Sequence, residues 1–385
     1  MLLLFFFKKG EKMEEKEKDF AEKLRGYYAR TSYVPASDAV AGMAYKASSE
    51  TDQNGVQYLR FYLVDAEAVA RVGENEGLIT SERKGKIFRE RVFKASDFHK
   101  DMLAMLEETE RAIFIRKENG LKKGFTLIPI LPEAHSSLVK AVGTKEMPFL
   151  PGTLMTSVIM AGLKRNRNSR LVIRKGENSR GLLVGCVGRE YQPNPVEAFV
   201  NVMGFARESG LHFTYGKLLH RQHLCRYESS IVDETGFIPG VEIRDSITGS
   251  GGFEVLSTLR NEKWSAPVYL SEQTFSQLQT DAEEVECLAK QALTEALDKA
   301  NYAAKTFSLN MAPKTAVVAK ALSSSNALKK IGRISSDRIK AKIREEASLE
   351  VIFAEAEHEV KTVDGNTDRR RCLGSLLESL AIKTA

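Results

Sequence analysis

The spacing of apolar positions changes several times along the chain, and each change predicts an element. Near the start, residues 11–26 are dense in Glu and Lys, with Phe20 and Leu24 four apart, the pattern of a short solvated helix. Ser37 or Asp38 is placed to cap a short helix after Pro35. Residues 57–64, QYLRFYLV, are rich in aromatic and branched side chains and predict a strand, with a short helix over 65–72. Residues 98–115, FHKDMLAMLEETERAIFI, put Met102, Leu103, Leu106 and Ile113 at helical spacing after Ser96 or Asp97 as cap. A strand over 124–131 ends at Pro132, and helices follow over 133–142 and 152–163.

From residue 170 onward the period becomes that of strands. Residues 171–174 and 181–188 flank Gly176-Glu177-Asn178-Ser179 and predict a hairpin. Pro195 suits the first turn of a helix over 196–208, and Gly210 ends it. Strands are predicted over 211–219, 224–232, 240–246 and 253–259, the last two joined by a turn at Thr248-Gly249-Ser250-Gly251-Gly252. Past Trp264 the texture turns helical again. Ser271 is placed to cap a long helix with Leu278, Val285, Leu288, Ala292 and Leu293 on one side, and residues 368–382 form a last amphipathic helix. Strands with few inserted helices and no βαβα rhythm predict an α+β fold: a mainly antiparallel sheet with packed helices, then a helical C-terminal region. The expected divisions are a leader and charged helix over 1–30, an N-terminal α+β part over 31–165, a central α+β core over 166–305 and a helical region over 306–385.

A chain of 385 residues with 43% apolar content can bury a substantial core. The net charge of +6 is small, so its distribution matters more than its sum. Cys186, Cys225, Cys287 and Cys372 are widely spaced with no CxxC pair, which predicts a reducing, cytoplasmic setting and no disulfide framework. The first twelve residues carry their positive charge after a short apolar run, unlike a signal peptide. They read as a disordered leader. No stretch has the roughly 20 apolar residues of a membrane span.

Charge is concentrated in the middle of the chain. Lys164, Arg165, Arg167, Arg170, Arg174, Lys175, Arg180 and Arg189 fall within a short span, followed by Arg221 and Arg226, with Tyr191 and other aromatics among them. Cations at this density neutralise phosphates, and aromatics between them offer stacking surfaces, so these eleven residues are the candidate nucleic-acid contacts. Other constellations carry less. His220, His223 and Cys225 resemble a metal set, but 223 and 225 share a strand face while 220 points away, and no second ligand pair follows. The glycine-rich turn at 248–252 lies between strands, so it lacks the following helix of a phosphate loop. Ser246, His220 and Asp233 make a triad only on paper, without a nucleophile elbow. No catalytic residue, metal or cofactor is assigned, and the chain is not expected to be an enzyme.

The central block also resembles a known family. Gly188, Tyr191, Pro193, Ala198 and Phe199 match the Gly-x-x-Tyr-x-Pro-x-x-Asn-x-x-Ala-Phe pattern of the phage/plasmid-like protein family, a domain of unknown function on mobile elements. The asparagine is displaced to Asn194. Asp245, Ser246, Gly249 and Ser250 match in part the family's later Asn-Ser-x-x-Gly-Ser turn. The Arg-x-x-Cys-x-Asn segment that follows in the family is represented only by Arg260-Asn261. The resemblance covers residues 170–305 and implies a phage or plasmid setting within a bacterial cell. By analogy of setting and architecture, the expected function is ATP-independent binding or annealing of single-stranded DNA by a homo-oligomer. The alternative is a self-assembling phage structural protein of capsid or shell type.

Overall fold

The computed structural model describes residues 2–64, 89–94, 106, 110–119, 122–143, 152–175, 181–230, 237–248, 252–261, 267–275, 282–309, 337 and 341. The fold is α+β, with three antiparallel sheets among the described residues. It divides into two compact units, one formed by residues 1–25, 194–246 and 250–385, the other by 26–193 and 247–249. The division at 193/194 keeps the hairpin that follows residue 168 with the strand of residues 31–35 to which it pairs.

The first unit is built on a five-stranded meander of β9 (Leu211–Leu218), β10 (Gln222–Ser229), β11 (Phe237–Ser246), β12 (Phe253–Asn261) and β13 (Val268–Phe275), each strand paired with the next. One face is apolar. Phe213, Cys225, Tyr227, Val241, Ile243, Val255 and Leu259 are buried on it. Helix α5 (Val196–Glu208) and helix α6 (Ala282–Leu309) cover this face. The long α6 presents small residues inward, Ala289, Ala292, Ala296 and Ala300, which lets it approach closely enough for Ser257 Oγ to donate to the Ala296 carbonyl at 2.6 Å. The N-terminal helix α1 (Leu2–Ala29) adds Phe20, whose ring fills the space that a side chain at Gly216 would occupy. Its Glu17 accepts a hydrogen bond from the Tyr227 hydroxyl at 2.9 Å.

The opposite face carries charge, and it is also buried. Glu242 accepts from Arg226 Nη2 at 2.7 Å, from Arg244 Nε at 2.6 Å and from the Tyr269 hydroxyl at 3.1 Å. The Arg244 guanidinium lies 5.0 Å from the centre of the Tyr269 ring, and Arg226 lies 5.5 Å from that of Tyr215. Beside them Arg260 makes a bidentate pair with Glu228 at 2.8–3.0 Å. Burial alone would raise the Glu242 carboxyl, but Arg244 and Arg226 outweigh it and hold the group below the usual carboxylate range. Gly240 sits at the tightest strand contact, where a Cβ would lie 2.4 Å from the Tyr227 carbonyl oxygen.

The second unit holds two sheets. One has the order β4-β3-β2-β5-β6, formed by β2 (Val40–Thr51), β3 (Gln57–Val64), β4 (Arg89–Lys94), β5 (Arg111–Asn119) and β6 (Lys122–Pro129). The other has the order β1-β7-β8, formed by β1 (Thr31–Pro35), β7 (Ser169–Lys175) and β8 (Gly181–Gly188). A parallel bridge between Ile130 and Leu183 links them. Short α2 (Ala36–Ala39) follows Pro35, α3 (Pro132–Ala141) packs on β8, and α4 (Gly152–Arg165) packs on β2 and β3.

Three expected elements differ. The last part of the helix expected over 98–115 is strand instead: after Glu110, whose φ is 54°, residues 111–119 are β5, because Ile113 and Ile115 pair with Met43 and Val40 of β2. The long helix expected from Ser271 begins at Ala282, since residues through Phe275 pair with β12 as β13. The leader expected over the first twelve residues is helical from Leu2. The helix expected over 65–72 and the last helix expected over 368–382 lie outside the described residues. No helix among the described residues is long and apolar enough to cross a membrane.

The buried charge network generates a direct expectation. Glu242→Gln leaves two buried guanidinium groups without their shared carboxylate, and should cost roughly 3–5 kcal/mol. Urea denaturation measures this, and a loss below about 1 kcal/mol would mean that the arginines find water or another partner.

Candidate nucleic-acid interface

Helix α4 is held at both ends. A Cβ at Gly162 would lie 2.4 Å from Val142 Cβ, which glycine alone accommodates without a shift, and one at Gly152 would lie 2.6 Å from the Tyr45 ring and displace it. Thr156 Oγ1 donates to the Gly152 carbonyl at 2.7 Å. At the C-terminal end, Asn166 Nδ2 donates to the Ala141 carbonyl at 2.6 Å, tying α4 to the end of α3. Asn166 Oδ1 then accepts from the Asn168 amide at 2.9 Å, and the Asn168 carbonyl accepts from the Arg189 amide at 2.7 Å. This chain of bonds brings the end of α4, the turn before β7 and the turn after β8 together. Lys164, Arg165, Arg167 and Arg189 are all exposed around it, with Glu190 as the adjoining exposed carboxylate.

The other expected contacts are arranged differently. Strand β7 turns Arg170, Val172 and Arg174 to one side. The Arg170 Nη2 donates to the Tyr191 carbonyl, and its guanidinium lies 5.4 Å from the centre of the Tyr33 ring. The Arg174 guanidinium lies 5.1 Å from the centre of the Tyr27 ring. Tyr33 is fixed by its hydroxyl, which donates to the Ile247 carbonyl at 2.7 Å. Tyr191, expected as a stacking surface, is only 5% exposed and packs against Tyr33. The Tyr33 and Tyr27 rings are therefore stacked with the protein's own cations, and Tyr191 is buried against Tyr33. Lys175 is exposed at the far end of β7, where its amide donates to the Arg30 carbonyl at 2.9 Å. That end lies about 20 Å from the first cluster at ~3.3 Å per strand residue. Arg221 and Arg226 belong to the other unit. The Arg221 carbonyl accepts from Ser246 Oγ at 3.2 Å, and Arg226 is held by Glu242. Arg180 lies outside the described residues.

The residues first considered for metal or nucleophile chemistry are placed as structural groups. His223 and Cys225 are fully buried on the apolar face of β10, while His220 is exposed in the turn before it. Ser246 is buried on β11, and Asp233 lies outside the described residues. The turn from Thr248 joins β11 to β12, which pair antiparallel, as expected of a strand-to-strand connection. Among the described residues no group of three or more His, Cys, Asp or Glu side chains is arranged to hold a metal ion. The buried pairing of Glu242 with Arg226, Arg244 and Tyr269 was not singled out from sequence. The alternation in Val241-Glu242-Ile243-Arg244 signalled a strand with one charged face, without signalling that the face is buried.

The comparisons returned no family model, curated protein or solved structure that matches this chain.

His223 generates a pH expectation. Burial pushes its imidazole down to about 3, so it stays neutral in the folded protein. The unfolded chain binds a proton below about pH 6.5, so folding stability falls as the pH drops through that value toward 3. The loss attributable to His223 should reach about 2 kcal/mol by pH 5. Urea midpoints at pH 7 and pH 5, for the native protein and His223→Phe, measure it. An equal pH effect in both would show that the group does not control it.

Proposed function

We propose that this protein binds nucleic acid through its phosphate backbone. The observation that supports the reading is the set of exposed cations Lys164, Arg165, Arg167 and Arg189, gathered by hydrogen bonds around the ends of α4, β7 and β8. Among the described residues, the exposed Arg165, Arg167 and Arg189 stand together with Lys164 beside Glu190, and an anionic polymer is the partner chemistry that such a cluster serves. Arg170, Arg174 and Arg226 serve the fold first, since each is stacked on a tyrosine. The reading extends to single-stranded DNA, bound without ATP and annealed to its complement by a homo-oligomer. That extension rests on an analogy of setting and architecture, since the resemblance of the central block implies a mobile-element setting and no reaction.

The triple variant Arg165→Ala, Arg167→Ala and Arg189→Ala tests the reading. Fluorescence anisotropy with a labelled oligonucleotide, over a salt series, should give weaker binding and a shallower salt slope. Loss of three phosphate contacts lowers the slope by about 2 for a single strand. Melting should be unchanged, because the three side chains are exposed. An unaltered slope would contradict the assignment.

A further inference from the structure

Helix α4 leaves a second surface beside these cations. Leu154 and Val158 are 41% and 42% exposed, and Ala161 is exposed one turn later. The spacing puts Leu154, Val158, Ala161 and Arg165 in one row, about 16 Å long at ~1.5 Å per residue. The opposite side of the same helix is already committed to the core, where Met155, Ile159 and Leu163 are buried. A surface helix ordinarily shows polar residues outward. Single exposed apolar side chains need no explanation, but this is a row, and it runs into the cation cluster.

We propose that a single-stranded nucleic acid lies along this row, with unpaired bases against Leu154 and Val158 and phosphates on Arg165, Arg167 and Arg189. The inference rests on the function proposed above and adds the surface that distinguishes a single strand from a duplex. The cations select an anionic polymer. The aliphatic row then selects strandedness, because a duplex stacks its bases inside and turns phosphates and sugars outward, leaving little for Leu154 and Val158 to touch. A single strand offers base faces and phosphates together. The apolar positions of the row, Leu154, Val158 and Ala161, carry no aromatic ring and no hydrogen-bonding side chain, so the contact with the bases is tolerant of sequence.

The experiment uses the full chain, a labelled oligothymidine and a hairpin duplex with the same number of phosphates, at two salt concentrations. Leu154→Ser with Val158→Ser should weaken single-strand binding about tenfold, leave duplex binding within twofold, and leave the salt slope unchanged. Val158→Tyr should strengthen single-strand binding several-fold by adding a stacking surface. Both variants change exposed positions, and thermal melting checks that the fold is intact. Parallel losses on both oligonucleotides would overturn the inference, as would no effect from either variant. A change in oligomeric mass without a change in binding would assign the row to contact between copies and overturn it as well. If the unaltered protein binds neither oligonucleotide, the function itself fails. If it binds and the row is silent, only the inference fails.

Discussion

A buried cation needs a partner, and this requirement sorts the arginines of the chain. Taking a guanidinium out of water costs several kcal/mol unless a carboxylate, a carbonyl or an aromatic face replaces the lost solvent. Arg226 and Arg244 share Glu242, Arg260 takes Glu228, and Arg170 takes the Tyr191 carbonyl and the Tyr33 ring. Each of these residues has its charge committed within the fold. Arg165, Arg167 and Arg189 are in the other condition, exposed at the ends of their elements. A dense run of cations in sequence therefore separates in space into cations that hold the fold and cations that face solvent.

Geometry makes that separation. Alternation along β7 turns Arg170 and Arg174 to the side that meets Tyr33 and Tyr27, while Arg167 before β7 and Arg189 after β8 are exposed. The solvent-facing group depends in turn on the placement of α4. Gly152 against Tyr45 and Gly162 against Val142 fix the axis of the helix, and Asn166 ties its last turn to α3. Lys164 and Arg165 are thus carried on the last turn of an anchored helix, with Arg167 and Arg189 on the segments hydrogen-bonded to its end. A fixed array neutralises neighbouring phosphates at lower ordering cost than flexible lysines on a loop.

Much of the fold was legible from sequence. The hairpin of β7 and β8, helix α5 between Pro195 and Gly210, and the successive strands of the meander follow from turn residues and periodicity, and Gly210 indeed takes a φ of 81°. Strand β5 was hidden because the helical spacing of residues 98–115 continues through Ile113 with no breaker, and only pairing with β2 overrides it. Strand β13 was hidden by a plausible cap at Ser271. The candidate site was half legible. Its residue types could be read, but the partners that remove Arg226, Arg170 and Tyr191 from the surface are set by strand register and long-range contacts, such as Tyr33 with Ile247.

Arginine-selective modification with phenylglyoxal, mapped by mass spectrometry with and without a single-stranded oligonucleotide, tests this sorting most directly. Arg165, Arg167 and Arg189 should react readily in the free protein and be protected by the oligonucleotide. Arg226, Arg244 and Arg260 should react slowly in both conditions. Protection confined to Arg226 and its neighbours, with Arg165, Arg167 and Arg189 left reactive, would contradict the account.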